Sequence, residues 1–381
     1  MTWLSSDHSD RKHGVLQSNM VEIVTRKLSE EASVSLEAFT AQMLPAVEKE
    51  LQRLVARLDA PRTALFHEML TYHLGWTGEG AGPAATGKRL RPLLLLLTCA
   101  AVGEAGNQKE EQGEEAWRAA LPAAAAVELI HNFSLVHDDI QDNSALRRGR
   151  PTVWKKWGVP QAINAGDALF ILAQLALLEL ENRLPPAIVL RASRILQEAC
   201  LALCNGQFLD LDYQEHADLT LEDYWPMVAG KTAALFSACA HLGALLGGAD
   251  EALQEAYRNF GHYLGLAFQV QDDYLGIWGE EALLGKSTAS DLMEGKKSFP
   301  VLCGLEKNGA FARRWKEGPL RAEEVVLLAD LLAQESVKLR TLETVDAMTD
   351  LALKMLLQAD PSGAAGEALF ELVNLLLRRQ A

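Results

Sequence analysis

The dominant pattern along the chain is an apolar residue at every third or fourth position, in segments rich in Ala, Leu and Glu. This spacing puts apolar side chains on one face of an α-helix, and the alternation typical of half-buried strands is nearly absent. A regular example runs from Ser35 to Leu58 and stops at Asp59-Ala60-Pro61. Further helices are predicted near 122–142, 160–182, 186–206, 230–247, 250–278, 299–307 and 320–357, with a last one ending near Arg379. The predicted fold class is all-α.

The predicted architecture is a single large helical bundle around a central apolar cavity, rather than a string of domains. Several helices carry Ala and Leu on more than one face, which indicates that they are buried all round. Residues 1–30 are predicted to be a polar, poorly ordered lead-in, and residues 31–381 one all-α domain. Two loops are predicted, a Gly-rich one from Gly75 to Gly87 and a charged one around 103–114.

Composition and charge narrow the possible functions. The 381 residues carry a formal net charge of -15, and a surface this acidic disfavours binding to nucleic acid. Hydrophobic residues make up 49% of the chain, which excludes a disordered protein. The five cysteines, the lack of a signal peptide and the lack of an apolar run long enough to span a bilayer predict a cytoplasmic protein without a transmembrane segment. An anionic ligand would need local Lys and Arg groups or metal ions.

The first chemically informative segment is HNFSLVHDDIQDNSALRRGRPTVW, which contains Asp138, Asp139 and Asp142. On a helix, Asp138 and Asp142 lie one turn apart on the same face, where two carboxylates repel each other unless a cation lies between them. Magnesium suits such a pair, because it takes oxygen ligands and keeps positions for phosphate oxygens. The alternative is a solvated acidic helix end. His137, beside this cluster, is predicted to be an ordinary helix histidine.

A second acidic pair ends another apolar helix in the segment FQVQDDYLG, where Asp272 and Asp273 follow Gln269. Two carboxylate-bearing helices facing each other across a bundle could hold several divalent ions between them. The recurrence of an acidic pair at a helix end in the other half of the chain therefore strengthens the prediction of a metal-binding site.

Basic residues form small groups near these acidic motifs. Proteins bind phosphates through the bidentate hydrogen bonds of Arg and the compact positive charge of Lys. Any one such residue alone would be an ordinary surface residue. The groups are Lys88, Arg89 and Arg91; Arg147 and Arg148; Lys231, beside Thr232; and Lys286, Lys296 and Lys297. The segment AGKTAALF lacks the glycine spacing of a P-loop. The pattern predicts a diphosphate bridged by magnesium to aspartates and a second anionic group held directly by Lys and Arg.

These motifs together resemble the trans-isoprenyl diphosphate synthase (polyprenyl synthetase) family. GKRLRP, DDIQD with RRGRPT, GKT, FQVQDD and GKSTASDLMEGKK occur in the family's order over roughly residues 45–345. The resemblance implies a bundle of helices around a cavity, a homodimer, and head-to-tail (1'-4) condensation of isopentenyl diphosphate with allylic prenyl diphosphates. It also implies that magnesium, expected as three ions with substrate bound, assists ionisation of the allylic diphosphate.

The resemblance assigns roles to residues that match the family's motifs. The implied metal ligands are Asp138, Asp142 and Asp272, supported by Asp139 and Asp273. The implied ligands of the allylic diphosphate are Arg147, Lys231 and Lys286, and those of isopentenyl diphosphate are Lys88, Arg91, His131 and Arg148. Thr232 and Gln269 would stabilise the developing cation, and Lys296 would help to close the site.

One departure and one specificity feature accompany the resemblance. Gly276 stands where the second motif usually has its third aspartate, which puts a third ligand there in doubt. Phe133 and Ser134 lie one turn before Asp138, where an aromatic side chain would act as the floor of the cavity. An aromatic residue followed by a small one resembles geranylgeranyl diphosphate (C20) synthases of the short-chain group. A farnesyl (C15) product is the alternative.

Two other functions remain open at this stage. A class I terpene cyclase shares the helical bundle and an aspartate-rich motif, but it should lack a separate pocket for isopentenyl diphosphate. Lys88, Arg91 and Arg148 argue against that reading. A non-catalytic subunit that binds a partner synthase would keep the fold, and Gly276 is the motif feature that hints at it.

Overall fold

A computed structural model describes residues 33–105, 116–279, 290–293, 295–318 and 320–377. The predicted lead-in of residues 1–30, most of the charged loop around 103–114, and Lys286 lie outside the described residues. The prediction of two parts, lead-in and domain, therefore stays a prediction.

The described chain is a bundle of α-helices with one two-stranded antiparallel hairpin, so the predicted all-α class is confirmed. The helices are α1 (Ser33–Val55), α2 (Ala64–His73), α3 (Pro83–Thr86), α4 (Leu90–Ala105), α5 (Leu121–Gln141), α6 (Val153–Trp157), α7 (Val159–Leu178), α8 (Pro186–Asp212), α9 (Leu221–Val228), α10 (Ala234–Leu246), α11 (Glu251–Trp278), α12 (Ser290–Met293), α13 (Phe299–Lys307), α14 (Ala310–Lys316), α15 (Val325–Gln334), α16 (Val337–Ala359) and α17 (Gly363–Leu377). Short 3₁₀ turns cover Ala56–Leu58, Glu179–Asn182, Tyr213–Glu215 and Ala322–Glu324, and a π-helix covers Ala229–Ala233. The strands are β1 (Leu146–Arg147) and β2 (Arg150–Pro151).

The larger of two apolar cores surrounds α4, whose run of leucines from Leu93 to Leu97 is almost completely buried. This helix is apolar all round because α5, α10 and α17 pack against it from several sides. Each fully buried leucine contributes about 1.5–3 kcal/mol relative to an exposed one. The first acidic motif therefore sits at the end of a helix, α5, that is rigidly held.

A second core gathers the C-terminal half of α11 with α9, α13 and α15. Tyr224, Phe299 and Phe311 are among its buried aromatic residues. Helix α11 takes part in both cores, since Leu264 packs in the first and Val270 in the second. The second acidic motif is thus carried by the helix that joins the two halves of the bundle.

The prediction of a single helix over 320–357 is wrong, because the structure has two helices there, α15 and α16. Ser336 lies between them with a left-handed backbone, at φ 63°. Glu335, beside it, accepts a hydrogen bond from the backbone N–H of Phe311 at the start of α14. Helices α2, α6, α9, α12 and α14 are among those that the pattern did not predict. The loop predicted from Gly75 to Gly87 contains the short helix α3.

Two stretches of helix have the length and apolar character needed to cross a membrane, Val159–Asn182 and Leu221–Leu246. The apolar windows within them are 44% and 67% buried inside the protein. A core helix meets the same criteria, so the observation is weak evidence for a membrane segment. The absence of a transmembrane segment stays a prediction.

Candidate active site

A cavity of about 590 Å³ opens between the ends of α5 and α11, and both Asp138 and Asp272 line it. The hypothesis of two carboxylate-bearing helices meeting at one hollow therefore agrees with the structure. Twelve of the residues singled out in the sequence line this cavity: Lys88, Arg89, Arg91, His131, Ser134, Asp138, Arg147, Arg148, Lys231, Thr232, Gln269 and Asp272. The apolar side chains of Leu135, Leu203 and Phe268 share the wall with these polar groups.

Helix α5 ends in a concentration of negative charge. Burial raises the pKa of the Asp138 carboxyl, Lys231 partly lowers it, and the nearby carboxylate of Asp142 raises it again. One carboxylate oxygen of Asp142, Oδ1, is buried and has no hydrogen-bond partner in the described part of the chain. A buried oxygen without a donor costs free energy, and a bound cation would remove that cost.

Asp139 differs from its neighbours, because it points away from the cavity. It is 1% exposed, and its Oδ1 accepts a hydrogen bond of 2.7 Å from Nε of Arg147. Burial raises the pKa of Asp139 to about 6, against the opposing effect of the Arg147 charge. The geometry makes Asp139 a residue that orients Arg147.

Asp273 is also engaged within the protein, in contrast to Asp272. Its Oδ2 accepts hydrogen bonds of 2.8 Å from the hydroxyl of Tyr224 and from the backbone N–H of Phe299. Its Oδ1 accepts one of 2.8 Å from Nε2 of Gln269. Burial raises the pKa of Asp273 to about 7. With both oxygens occupied by protein donors, Asp273 acts on the site through Gln269 and the start of α13.

The amide of Gln269 is held at both ends. While its Nε2 donates to Asp273, its Oε1 accepts a hydrogen bond of 2.6 Å from the hydroxyl of Thr232. Both Thr232 and Gln269 line the cavity. This pairing fixes which end of the amide dipole points towards Thr232 and the cavity.

The hairpin β1–β2 presents Arg147 and Arg148 to the cavity. Arg148 has a left-handed backbone at φ 52°, and its guanidinium donates a hydrogen bond of 2.6 Å to the carbonyl of Ala85. Gly87 allows this approach, since a Cβ atom there would lie 2.5 Å from Nη2 of Arg148. Its φ of 80° is also a value that glycine adopts without strain.

Arg91 and His131 form a pair in the wall of the cavity. Nη1 of Arg91 lies 3.4 Å from Nε2 of His131, and its guanidinium stacks 4.7 Å above the ring of Phe236. Burial, reinforced by the charge of Arg91, lowers the pKa of His131 well below its ordinary value. His131 is therefore neutral, and its Nε2 accepts from Arg91, which can only donate.

Arg89 lies beside these groups, but its guanidinium is hydrogen-bonded to other residues of the protein. Its guanidinium donates to Glu48 at 2.6 Å, to Glu128 at 2.8 Å and to the carbonyl of Leu74. Glu128 also accepts from Nδ2 of Asn132. The two carboxylates compensate a charge that is 4% exposed, and they thereby fix the start of α4, where Lys88 and Arg91 lie.

A π-helix turns Lys231 and Thr232 towards the cavity together. It packs on α8 through two glycines: a Cβ on Gly206 would lie 2.0 Å from the backbone nitrogen of Lys231, and one on Gly230 would lie 2.6 Å from the carbonyl oxygen of Ala202. Single π-helical turns are common at functional sites. Here the extra residue per turn brings two adjacent side chains into one wall.

Lys231 is paired with Asp210, a residue that the sequence reasoning did not identify. Burial alone would lower the pKa of Lys231, but the carboxylates of Asp210 and Asp138 outweigh it and raise the pKa. Gln207, one turn before Asp210, also lines the cavity and donates to Gln141 at 2.8 Å. The i, i+3 spacing of Gln207 and Asp210 on an apolar helix was the signal that could have found them.

Three further residues that the sequence singled out, Phe133, His137 and Lys296, are not among those that line the cavity. Phe133 lies behind the wall, with its ring 5.2 Å from that of Phe170. The ring of His137 meets that of Phe133 edge to face, and its Nε2 lies 3.7 Å from Oδ1 of Asp167, as expected of a helix histidine. The backbone N–H of Lys296 donates to the carbonyl of Asp291 at 3.0 Å.

The residues present fit magnesium that is shared with a diphosphate. Within the described ranges, no group of three or more His, Cys, Asp or Glu side chains is arranged to hold a metal ion. Magnesium commonly binds one or two carboxylates together with substrate phosphates rather than an all-protein cage. Asp138 and Asp142 on one side, with Asp272 on the other, are such partial sets.

Fold and site together define a class of protein, a helical bundle with a cavity lined by both acidic and basic side chains. The family model "Polyprenyl synthetase" matches residues 82–324. The chain belongs to the polyprenyl synthetase family, which confirms the resemblance found in the motifs.

Individual relatives agree with this assignment. The geranylgeranyl diphosphate synthase of Mycobacterium tuberculosis is 44% identical over 247 residues, covering 64% of this chain and 66% of that one. A (2E,6E)-farnesyl diphosphate synthase of Mycobacterium bovis is 40% identical, covering 69% of each chain. The chain thus spans about two thirds of the length of these curated relatives.

Solved structures match over more of the chain. The crystal structure of polyprenyl synthetase from Streptomyces coelicolor A3(2) superposes with a TM-score of 0.77 at 33% identity, and covers 91% of this chain and 99% of that one. A geranylgeranyl pyrophosphate synthetase from Pyrococcus horikoshii superposes with a TM-score of 0.77 at 31% identity, over 92% and 100%. The whole helical bundle is therefore shared with this family.

Proposed function

We propose that this protein is a prenyltransferase that condenses isopentenyl diphosphate head-to-tail with allylic diphosphates, with geranylgeranyl diphosphate as its main product. The observation that carries the proposal is the single cavity lined by Asp138, Asp272 and two separate sets of basic residues. The 44% identity to a geranylgeranyl diphosphate synthase supports the same reaction and product.

The allylic diphosphate would lie between the two acidic helix ends, beside Arg147 and Lys231. Arg147 is oriented by Asp139, and Lys231 is held by Asp210, so both cations are positioned before substrate arrives. Lys286, outside the described residues, is proposed as a third cation. Bound magnesium would neutralise the diphosphate and make it a better leaving group. Asp138, Asp142 and Asp272 are the proposed ligands, with three ions expected when substrate is bound.

Isopentenyl diphosphate would occupy the basic wall formed by Lys88, Arg91, His131 and Arg148. Arg148 is fixed by its hydrogen bond to Ala85, and Arg91 by His131 and by stacking on Phe236. A diphosphate at this wall would be bound directly by nitrogen donors. The allylic diphosphate would instead be bound largely through magnesium ions held by the aspartates. The cavity thus separates two anions of the same chemistry and presents them in one orientation.

Thr232 and Gln269 are proposed to stabilise the allylic cation as the diphosphate leaves. The amide orientation imposed by Asp273 puts the carbonyl end of Gln269, with the hydroxyl oxygen of Thr232, at the cavity wall. Dipoles fixed with their negative ends towards a developing positive charge need no reorganisation during the reaction. The alkene of isopentenyl diphosphate would then attack, and a proton would pass to the departing diphosphate. Lys296 is proposed to help close the site.

The product length is proposed to be set at the α5 wall, where Ser134 lines the cavity and Phe133 supports it against Phe170. Incubated with isopentenyl diphosphate and each allylic primer, the protein is expected to give mainly a C20 alcohol after dephosphorylation and chromatography. Phe133→Ala should shift the products to longer chains, because it opens the floor of the cavity.

Two results would contradict the proposed function. One is a dominant C15 product from the wild type, and the other is turnover without isopentenyl diphosphate, which would favour a terpene cyclase. Absence of turnover by the isolated chain would favour a non-catalytic subunit.

We further propose that the protein is a cytoplasmic homodimer. All five cysteines are free, as expected in a reducing compartment. Large apolar side chains are exposed along one side of α7, and others lie on the adjacent helix α8. They are Val159, Ile163, Ile171, Leu175 and Leu178 on α7, and Leu190, Leu201 and Phe208 on α8. An apolar surface of this extent is typical of an interface between subunits.

Light scattering after size exclusion is expected to give twice the 41.7 kDa chain mass. Ile171→Arg combined with Leu175→Arg should shift the mass to that of one chain, because two buried charges per subunit cannot be paired across the interface. Val326→Arg, at a residue 71% exposed on α15, is the matched control and should leave the mass unchanged. A dimer that survives the double substitution would place the interface elsewhere.

A further inference from the structure

A smaller pocket of about 20 Å³ adjoins the active-site cavity, since Arg147 and Arg148 line both. His73 of α2, Asp139 of α5 and Thr152, beside the hairpin β1–β2, also line it. A cavity needs at least about 10–15 Å³ to hold one water molecule. This pocket therefore has the size for a single water molecule and for nothing much larger.

Two buried polar atoms of the side chains around this pocket have no hydrogen-bond partner within the described ranges. They are Nε2 of His73 and Oδ2 of Asp139. Each belongs to a side chain that lines the pocket, and the two atoms do not bond to each other. A buried polar atom without a partner costs free energy. A group that lies between these two atoms and bonds to both would remove both costs.

The charges around the pocket favour water over other ligands. Burial, reinforced by the charge of Arg147, lowers the pKa of His73 to about 3, so this imidazole is neutral. A cation would be repelled by Arg147 and Arg148, and an anion by the carboxylate of Asp139. Water is neutral and can donate one hydrogen atom to Asp139. Its remaining hydrogen atom or a lone pair can serve Nε2 of His73, whichever tautomer is present.

Hydrogen bonds fasten the elements around the pocket to one another. The hydroxyl of Tyr72, near the end of α2, donates to the carbonyl of Pro151 in β2 at 2.8 Å. The backbone N–H of Ser144 donates to the carbonyl of Asp139 at 2.9 Å, and the hydroxyl of Thr152 donates to the carbonyl of Ser144 at 2.9 Å. The ends of α2 and α5 are thus both tied to the hairpin segment, so the pocket between them has a fixed shape.

A water molecule in this pocket would affect the orientation of Arg147, whose Nε donates to Oδ1 of Asp139 at 2.7 Å. A carboxylate bonded through one oxygen alone can turn about the bond that joins it to its side chain. A carboxylate bonded through both oxygens has a fixed plane. A water bound to Oδ2 would fix that plane, and the guanidinium of Arg147 would keep its direction towards the active-site cavity.

We propose that one water molecule joins Nε2 of His73 to Oδ2 of Asp139, and that His73 is thereby a positioning residue for Arg147. His73 does not line the active-site cavity, so it acts on the substrate only through Asp139 and Arg147. The effect on the allylic diphosphate rests on the proposed prenyltransferase function, whereas the water site itself does not.

A crystal structure of the wild type tests the water site directly. One ordered water should lie within about 3.2 Å of both Nε2 of His73 and Oδ2 of Asp139. A pocket without such a water, or a direct contact between the two side chains, would overturn the proposal.

Three substitutions of His73 test its role in positioning. His73→Gln puts an amide near the place of Nε2, and should keep both KM values within about twofold of the wild type. His73→Asn reaches only the place of Nδ1, and His73→Phe has no polar atom. Both should raise the KM for the allylic diphosphate by about tenfold and leave the KM for isopentenyl diphosphate within about twofold, because Arg148 is fixed separately by the carbonyl of Ala85.

A double variant tests whether His73 acts through Asp139. His73→Asn combined with Asp139→Asn should be no more impaired than Asp139→Asn alone, since both substitutions break one chain of contacts. His67→Asn is the matched control, because His67 lies on the same helix and lines neither cavity, and it should behave as the wild type does. Thermal unfolding of every variant separates loss of the site from loss of the fold.

The kinetic outcomes separate this proposal from the proposed function. Wild-type kinetics for both His73→Asn and His73→Phe, an equal rise in both KM values, or additive effects in the double variant would overturn the positioning role. If the wild type shows no turnover with isopentenyl diphosphate and an allylic primer, the proposed function fails instead. The water in the crystal structure then decides the proposal by itself.

Discussion

Asp138→Asn is expected to lower kcat by about 10³-fold, the largest effect on activity that we predict for a single substitution. The substitution keeps the size of the side chain but removes the negative charge that would bind magnesium. Because the charge of Asp138 also helps to raise the pKa of Lys231, the substitution would remove part of the negative charge around that lysine as well as a proposed ligand. Steady-state kinetics at saturating magnesium, with product detected after dephosphorylation, measures the change.

Asp346→Asn provides the control for the Asp138 prediction, since it also removes one carboxylate charge but from an exposed helix position. Its activity should equal that of the wild type. The melting temperature of Asp138→Asn should not fall, because burial already disfavours the charged form of this carboxyl in the absence of metal. A variant that retains more than about a tenth of wild-type kcat would show that Asp138 is not a principal ligand.

Gly206→Ala is expected to damage both stability and activity, although alanine is ordinarily the better helix former. The added Cβ would lie 2.0 Å from the backbone nitrogen of Lys231, and a backbone atom cannot move aside as a flexible side chain can. Overpacking of this kind costs about 1–3 kcal/mol, and a displacement of Lys231 by about 1 Å would cost about 10² in kcat/KM. Scanning calorimetry and kinetics with the allylic substrate measure the two effects.

Gly248→Ala is the matched control for the Gly206 substitution. Its added Cβ would meet nothing within 4 Å, so it carries only the strain of a left-handed backbone, at φ 88°. It should lower stability modestly and leave kcat/KM unchanged. Equal kinetics for Gly206→Ala and the wild type would mean that the π-helix can move away from α8 without loss of the lysine position.

The distribution of charge explains how so acidic a chain can bind two anionic substrates. With a net charge of -15, the protein as a whole repels a diphosphate. This repulsion is weaker at the cavity, because several carboxylates there are already paired with specific cations. Asp139 holds Arg147, Asp210 holds Lys231, and Glu128 holds Arg89. Asp138 and Asp272, which line the cavity, are among the carboxylates proposed to bind metal ions.

The helical class, the two acidic helix ends and the basic residues of the cavity wall can be read from the amino-acid sequence alone. These features are readable because they are local: a carboxylate pair at i and i+4 shares one helix face whatever the rest of the chain does. Family motifs added the order of the groups. The same local reasoning joined α15 and α16 into one helix, because the left-handed backbone at Ser336 has no signal in the apolar pattern.

The contacts of each carboxylate, by contrast, depend on how the helices pack against one another. Asp138 and Asp139 are adjacent in sequence, yet the first lines the cavity and the second is buried against Arg147. The pairing of Asp210 likewise depends on Lys231, a residue 21 positions away. Pairings over such separations depend on how helices pack. A one-dimensional pattern specifies which face of a helix is apolar, but not which residue of another helix meets it.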